Sequence, residues 1–194
     1  MPRKREHQGM IAIDPGWRGL GYIIIIPAFG IEIQGCEDIA GDKKRFQNKL
    51  VTLGLVHTFF FDLLERYPFL SLCTIGIVEG QFKPAMKNLC LIIETMLKAI
   101  LPRDSIVGDV QSFTVKEFFK LPAKQKYADN KKYAVKYVTE HPELIGGGKP
   151  DINHNICDAI LILNYWIARH KIVFAMSVKC TVCQMPFPEP RQAT

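Results

Sequence analysis

The sequence predicts one α/β domain: a mixed five-stranded sheet flanked by helices. Three observations predict it. The chain opens on two β-branched apolar runs, residues 10–13 and 21–26, joined by a turn containing Gly16 and Gly19, which is the pattern of a buried hairpin. A third run, residues 31–36 (IEIQGC), alternates and extends the hairpin into a meander with an edge strand. After it, apolar runs at 71–79 and 105–110 alternate with segments of helical period, an order that lays helices over a mixed sheet.

A length of 194 residues suits a single domain, able to bury roughly 70% of its unfolded surface. With 48% apolar residues and no low-complexity tract, the chain reads as globular rather than disordered. The net charge of +6 permits a polyanionic partner without demanding one. No apolar run approaches the ~20 residues of a membrane span, and the basic start MPRKREHQG leads into a strand rather than a signal-peptide core. An intracellular protein without a membrane segment is expected. Nothing points to a small-molecule cofactor. Gly16, Gly19 and Gly21 are not a dinucleotide fingerprint, and the GGGK at 146–149 lacks the spacing of a P-loop.

Taken in order, the first strand ends on Asp14, followed by Pro15 and Gly16. A carboxylate at the end of a buried strand is costly unless a metal ion, a lysine or a backbone nest compensates it. The plain alternative is a turn aspartate. Residues 41–49 are polar, and 50–67 continue them as an apolar helix stopped by Pro68. The run 71–79 (SLCTIGIVE) is continuously apolar, so it reads as a central strand with Glu79 at its exit. Pro84 fits the first turn of a helix over 84–100, and Ser112 can cap a short helix carrying Lys116. Residues 120–132 are rich in lysine. Asp129 opens a helix to about 140, 144–150 is a Gly-rich loop, and Asp151 opens a long helix to about 170, as its N-cap. The expected organisation is a basic arm over 1–9, a domain over 10–175 and a Cys- and Pro-containing tail over 176–194. Of six cysteines, four lie in apolar runs. Only Cys180 and Cys183 have metal-like spacing, and they supply half of a tetrahedral site.

Asp14 and Glu79 both end apolar strands, and Asp158 lies on the last helix, one face below Asp151 and His154. If the first and fourth strands are neighbours, Asp14 and Glu79 meet. Such a cluster repels itself unless divalent cations neutralise it, and oxygen ligands favour Mg²⁺ or Mn²⁺. Two such ions support phosphodiester hydrolysis.

The segments IAIDPGWRGLGY, IVEGQF, DVQSFTVKEF and CDAILIL come in the order and approximate spacing of the RuvC family of Holliday junction resolvases. The chain resembles that family over about residues 10–170, and looks closer to the branch found in large DNA viruses of eukaryotes. The resemblance implies an RNase H-like fold, a homodimer, branched DNA as substrate, and symmetric paired nicks made with Mg²⁺, for which Mn²⁺ substitutes. If the chain is viral, the site of action is the compartment of viral DNA replication. The resemblance makes Asp14, Glu79 and Asp158 metal-binding carboxylates and Lys116 a catalytic lysine. Phe82 resembles an aromatic wedge, and Lys83, Lys87, Lys124, Lys126, Lys131 and Lys132 become candidates for phosphate contact.

One position departs from the family pattern. The fourth ligand, three residues before the last aspartate, is Asn155. Three readings stay open: Asp151 or His154 substitutes, the site works with three carboxylates, or Asn155 is an inactivating Asp→Asn change. His154, one position out of phase, reads as a helix-surface residue, with a proton shuttle as the alternative. The helix over 89–100 is a candidate dimer interface. The rival functions are a non-catalytic junction-binding protein and an RNase H-like nuclease acting on RNA–DNA hybrid.

Overall fold

The computed structural model describes residues 6–39, 49–122, 127–145 and 153–174. Lys124, Lys126, the triple glycine at 146–148, Asp151, and Cys180 and Cys183 with their tail lie outside the described residues. The strands are β1 (Glu6–His7), β2 (Met10–Asp14), β3 (Leu20–Ile26), β4 (Ile31–Glu37), β5 (Ile75–Gly80), β6 (Ile106–Gln111) and β7 (Val173–Phe174). The helices are α1 (Lys49–Arg66), α2 (Pro84–Ile100), α3 (Ser112–Phe118), α4 (Tyr127–Glu140) and α5 (His154–His170).

Five strands form a mixed sheet in the order β4-β3-β2-β5-β6. The meander β2-β3-β4 is antiparallel, whereas β5 pairs parallel with both β2 and β6. Every residue of β2 and β5 is buried, because helices cover both faces of these central strands. The edge strand β4 is only partly buried. Pleating sends alternate residues to opposite faces. Ile11, Ile13 and Val78 join the core under α1 and α2. Met10, Ala12, Ile75 and Ile77 join the core under α5, with α4 packed outside it. By the same alternation Asp14 and Glu79 point toward α5.

Helix α5 approaches the sheet closely at Gly21, where an added Cβ would lie 2.8 Å from the Asn155 Cβ and closer still to its backbone. A larger residue at Gly21 would lift α5. Eight α5 side chains are buried, including Ile156, Ile160, Leu161, Ile162 and Leu163. Each large one contributes about 1.5–3 kcal/mol. Together they outweigh the cost of holding one acid, Asp158, on the same helix.

Local details differ from the sequence reading. Residues 71–73 are not strand. Pro68–Leu72 forms a 3₁₀ turn, pinned by Leu70 in the core and by the Ser71 Oγ donating to the Pro68 carbonyl at 2.9 Å. Strand β5 then runs one residue past Glu79, since Gly80 pairs with Gln111. Ser112 is the first helical residue of α3 rather than its cap, and Gln111 holds the cap position without a side-chain bond. The cap of α5 is Asn153, its Oδ1 accepting from the Asn155 N–H at 2.9 Å, in place of the cap expected at residue 151. Residues 6–7, read from sequence as part of a basic arm, pair in parallel with Val173–Phe174, and His7 is buried. Of the candidate interface helix α2, Leu89, Cys90, Ile93 and Leu97 belong to the monomer core, while Leu91 is 62% exposed. Among the described residues no helix is long and apolar enough to cross a membrane.

Candidate active site

Parallel pairing of β2 with β5 sets Ile13 opposite Val78. The next residues along, Asp14 and Glu79, therefore stand side by side at the C-terminal ends of neighbouring strands. Both are buried, and their carboxyl groups are close enough to act on each other electrostatically. Asp158 comes from α5, half-buried and close enough to act electrostatically on Asp14. The three carboxylates line one cavity of about 770 Å³ with Lys116 of α3, Lys131 of α4 and Arg18 of the β2–β3 turn.

The electrostatics follow from this crowding. Burial, then repulsion from the adjacent Glu79 and from Asp158, push the Asp14 carboxyl well above the usual range, while Lys116 pulls it back. Burial and then Glu79 push Asp158 up to about 7, against Lys116 and Lys131. The Gln81 Nε2 donates to Glu79 Oε2 at 2.5 Å, and the Cys90 thiol donates to the Glu79 carbonyl at 3.3 Å, fixing that strand end.

Among the described residues no three His, Cys, Asp or Glu side chains are gathered as they stand to hold a metal ion. The donor chemistry nonetheless fits a hard divalent cation. Three acids converge where two are driven toward their protonated forms for want of positive charge.

Asp14, Glu79, Asp158, Lys116, Asn155, Phe82, Lys83 and Lys131 all line this cavity. Asn155 is at its wall with Nδ2 directed to the Cys36 Sγ at 3.6 Å. Phe82 is 70% exposed at the rim, so it is not a core phenylalanine. Lys87 and Lys132 are exposed on α2 and α4 and do not line the cavity.

His154 corrects the sequence reading. It is a cavity residue, not a helix-surface one, and Nζ of Lys131 donates to its Nε2. Burial and then Lys131 lower its pKa below 6.5. The signal was available, since His154 and Asp158 are four residues apart and share a helix face. Arg18, Trp17, Gln81 and Ser112 also line the cavity and were not singled out. Their shared position next to the ends of β2, β5 and β6 was the available clue.

No protein-family model and no curated protein sequence matches this chain. Its fold does match solved structures. Thermus thermophilus RuvC matches with a TM-score of 0.53 at 16% identity, over 84% of this chain and 96% of that one. The yeast mitochondrial Holliday junction resolvase matches at 0.54 and 12% identity, over 88% of this chain and 84% of that one. The fowlpox virus Holliday junction resolvase matches at 0.50 and 10% identity, over 84% of this chain and 99% of that one. The chain thus has the RNase H-like fold of these proteins. Bacterial, mitochondrial and viral structures match it about equally, so the fold does not single out the viral branch.

Proposed function

We propose that this chain is a divalent-cation-dependent endonuclease that resolves four-way DNA junctions by paired symmetric nicks, its domain spanning about residues 10–175. The convergence of Asp14, Glu79 and Asp158 from three different elements onto one cation-lined cavity carries this reading. A structural acid would be paired locally; burial and neighbouring acids raise the pKa of Asp14 and Asp158, an arrangement suited to charge that arrives with a ligand.

Asp14, Glu79 and Asp158 would hold Mg²⁺ or Mn²⁺, with Asn155 able to add a neutral oxygen after turning from Cys36. When bound, the cation supplies charge that stabilises a scissile phosphate and lowers the pKa of water. The chain's own cations do the rest. Arg18, Lys83 and Lys131 bind and orient backbone phosphates around the cavity. Lys116 acts on Asp14 and Asp158 and is placed to balance charge developing on the phosphate oxygens. His154, held neutral beside Lys131, offers a nitrogen that can take up a proton.

A two-fold dimer would present two such cavities to the symmetric strands of a junction. The exposed Phe61 of α1 and Leu91 of α2 support an interface on that face. The direction of the Asn155 amide toward Cys36 supports a second reading, a junction-binding protein with an incomplete site. Substrate comparison tests the proposal. A four-way junction, a linear duplex and an RNA–DNA hybrid of matched sequence are offered with Mg²⁺. Junction-selective cutting is expected. Preferential hybrid cutting would replace the proposal with a ribonuclease H-type activity, and tight junction binding without any cutting would favour the binding protein.

A further inference from the structure

Two large exposed apolar side chains have no core role: Phe82, which lines the cavity, and Phe113, which follows the cavity-lining Ser112. Phe82 is 70% exposed and Phe113 is 55% exposed. They come from neighbouring strand ends. Gly80 and Gln111 are register partners in the β5–β6 pair, and each phenylalanine stands two residues beyond its partner. Adjacent strands lie about 4.8 Å apart, so the two residues follow neighbouring strand ends on the same side of the sheet's C-terminal edge. Phe113 opens α3 right after the cavity-lining Ser112 and one turn before Lys116, which also lines the cavity. The inward face of that short helix is occupied by the buried Val115, so Phe113 is turned outward. Cations surround the rim: Lys83 beside Phe82, Lys116 beside Phe113, and Arg18 across the cavity.

Exposed rings cost free energy in water and give nothing to this core. Rings set among phosphate-binding cations match one ligand chemistry, an unpaired nucleobase on a polyanionic backbone. Stacking serves any base, and the cations serve the flanking phosphates.

We propose that Phe113 is a stacking residue for a base unpaired at the branch point, acting with Phe82 as a two-ring platform at the mouth of the cavity. This rests on the branched-DNA reading above. It adds a specificity-determining position on α3, separate from the Phe82 loop. The platform favours DNA whose bases can leave the helix and gives no advantage to intact duplex.

The test uses the full-length chain and a four-way junction carrying 2-aminopurine next to the branch, with a matched duplex and a matched single strand as controls. Binding is measured in Ca²⁺, with circular dichroism to check that each variant is folded. The expected result is a 2-aminopurine signal change on wild-type binding that is lost in Phe113→Ala and restored in Phe113→Trp. Junction affinity should fall about 10-fold in Phe113→Ala, with duplex affinity unchanged. Wild-type signal and affinity in Phe113→Ala would overturn the platform while leaving the nuclease reading intact. Equal loss on duplex and junction would make Phe113 a general structural residue and also overturn it. If wild-type protein changes the signal of neither junction nor single strand, the platform and the branched-DNA reading fall together.

Discussion

Asp14 and Glu79 stand side by side, buried, at the ends of two parallel strands, with Asp158 on α5 close enough to act on both. Burial and the neighbouring acids push Asp14 toward its protonated form. The pair therefore stores a demand for positive charge in the centre of the fold, and several measurable consequences depend on it.

Stability should fall as pH rises. Asp14 and Asp158 bind protons more tightly folded than unfolded, because their pKa values rise on folding. Their contribution is complete below the unfolded value of 3.8 and is lost as pH climbs to about 7 for Asp158. Asp158 alone corresponds to a loss on the order of 4 kcal/mol across that window. Urea melts from pH 4 to pH 8 without divalent cation should show this decline, and Asp158→Asn should flatten it. A parallel decline in the variant would assign the pH dependence to other groups.

Asn155→Asp adds a fourth carboxylate to the wall of the cavity. Without divalent cation it should lower stability at pH 8 by about 1–3 kcal/mol, because another buried charge goes unpaired. It should also tighten Mn²⁺ binding about tenfold, since affinity follows ligand charge. Calorimetry with Mn²⁺ reads both the stoichiometry and the change. Unaltered affinity would place residue 155 outside the cation site.

His154 should titrate below 6.5, held down by burial and by Lys131. Its ring resonances in an NMR pH series should show that low midpoint, and Lys131→Ala should move it upward. An unchanged midpoint in that variant would leave burial as the sole cause.

Gly21→Ala tests how the site is assembled. The new methyl would meet the Asn155 backbone and force α5 away from β3. A loss of about 1–3 kcal/mol is expected, together with weaker Mn²⁺ binding because Asp158 travels with α5. Full Mn²⁺ affinity in a destabilised Gly21→Ala protein would show that the helix can shift without disturbing the carboxylates.

Much of the fold was legible because period and punctuation agreed. The β-branched runs, the alternation at 31–36 and the prolines at 68 and 84 bound the sheet and its helices closely. Asp14 and Glu79 stood out as acids ending apolar runs, and parallel pairing of their strands brought them together. Other features depend on contacts that no local pattern records. The 3₁₀ turn over Pro68–Leu72 replaces the expected strand start because Leu70 finds a core position. Asn153 caps α5 because its side chain reaches the Asn155 N–H, a choice that the acid at 151 obscures in the sequence. Lys131 was one of several lysines in a charged stretch. Its place in the cavity against His154 follows from how α4 lies on α5.

The most direct measurement is cleavage of an end-labelled four-way junction by the wild-type protein, Asp14→Asn and Asn155→Asp, each in Mg²⁺ and in EDTA. Wild-type protein should make paired, symmetry-related nicks in Mg²⁺ only. Asp14→Asn should lose at least about 100-fold in rate while still binding the junction. Cutting that survives either EDTA or Asp14→Asn would contradict a cation-dependent nuclease centred on these carboxylates. Cutting by Asn155→Asp alone would mean that residue 155 completes the site only as an aspartate.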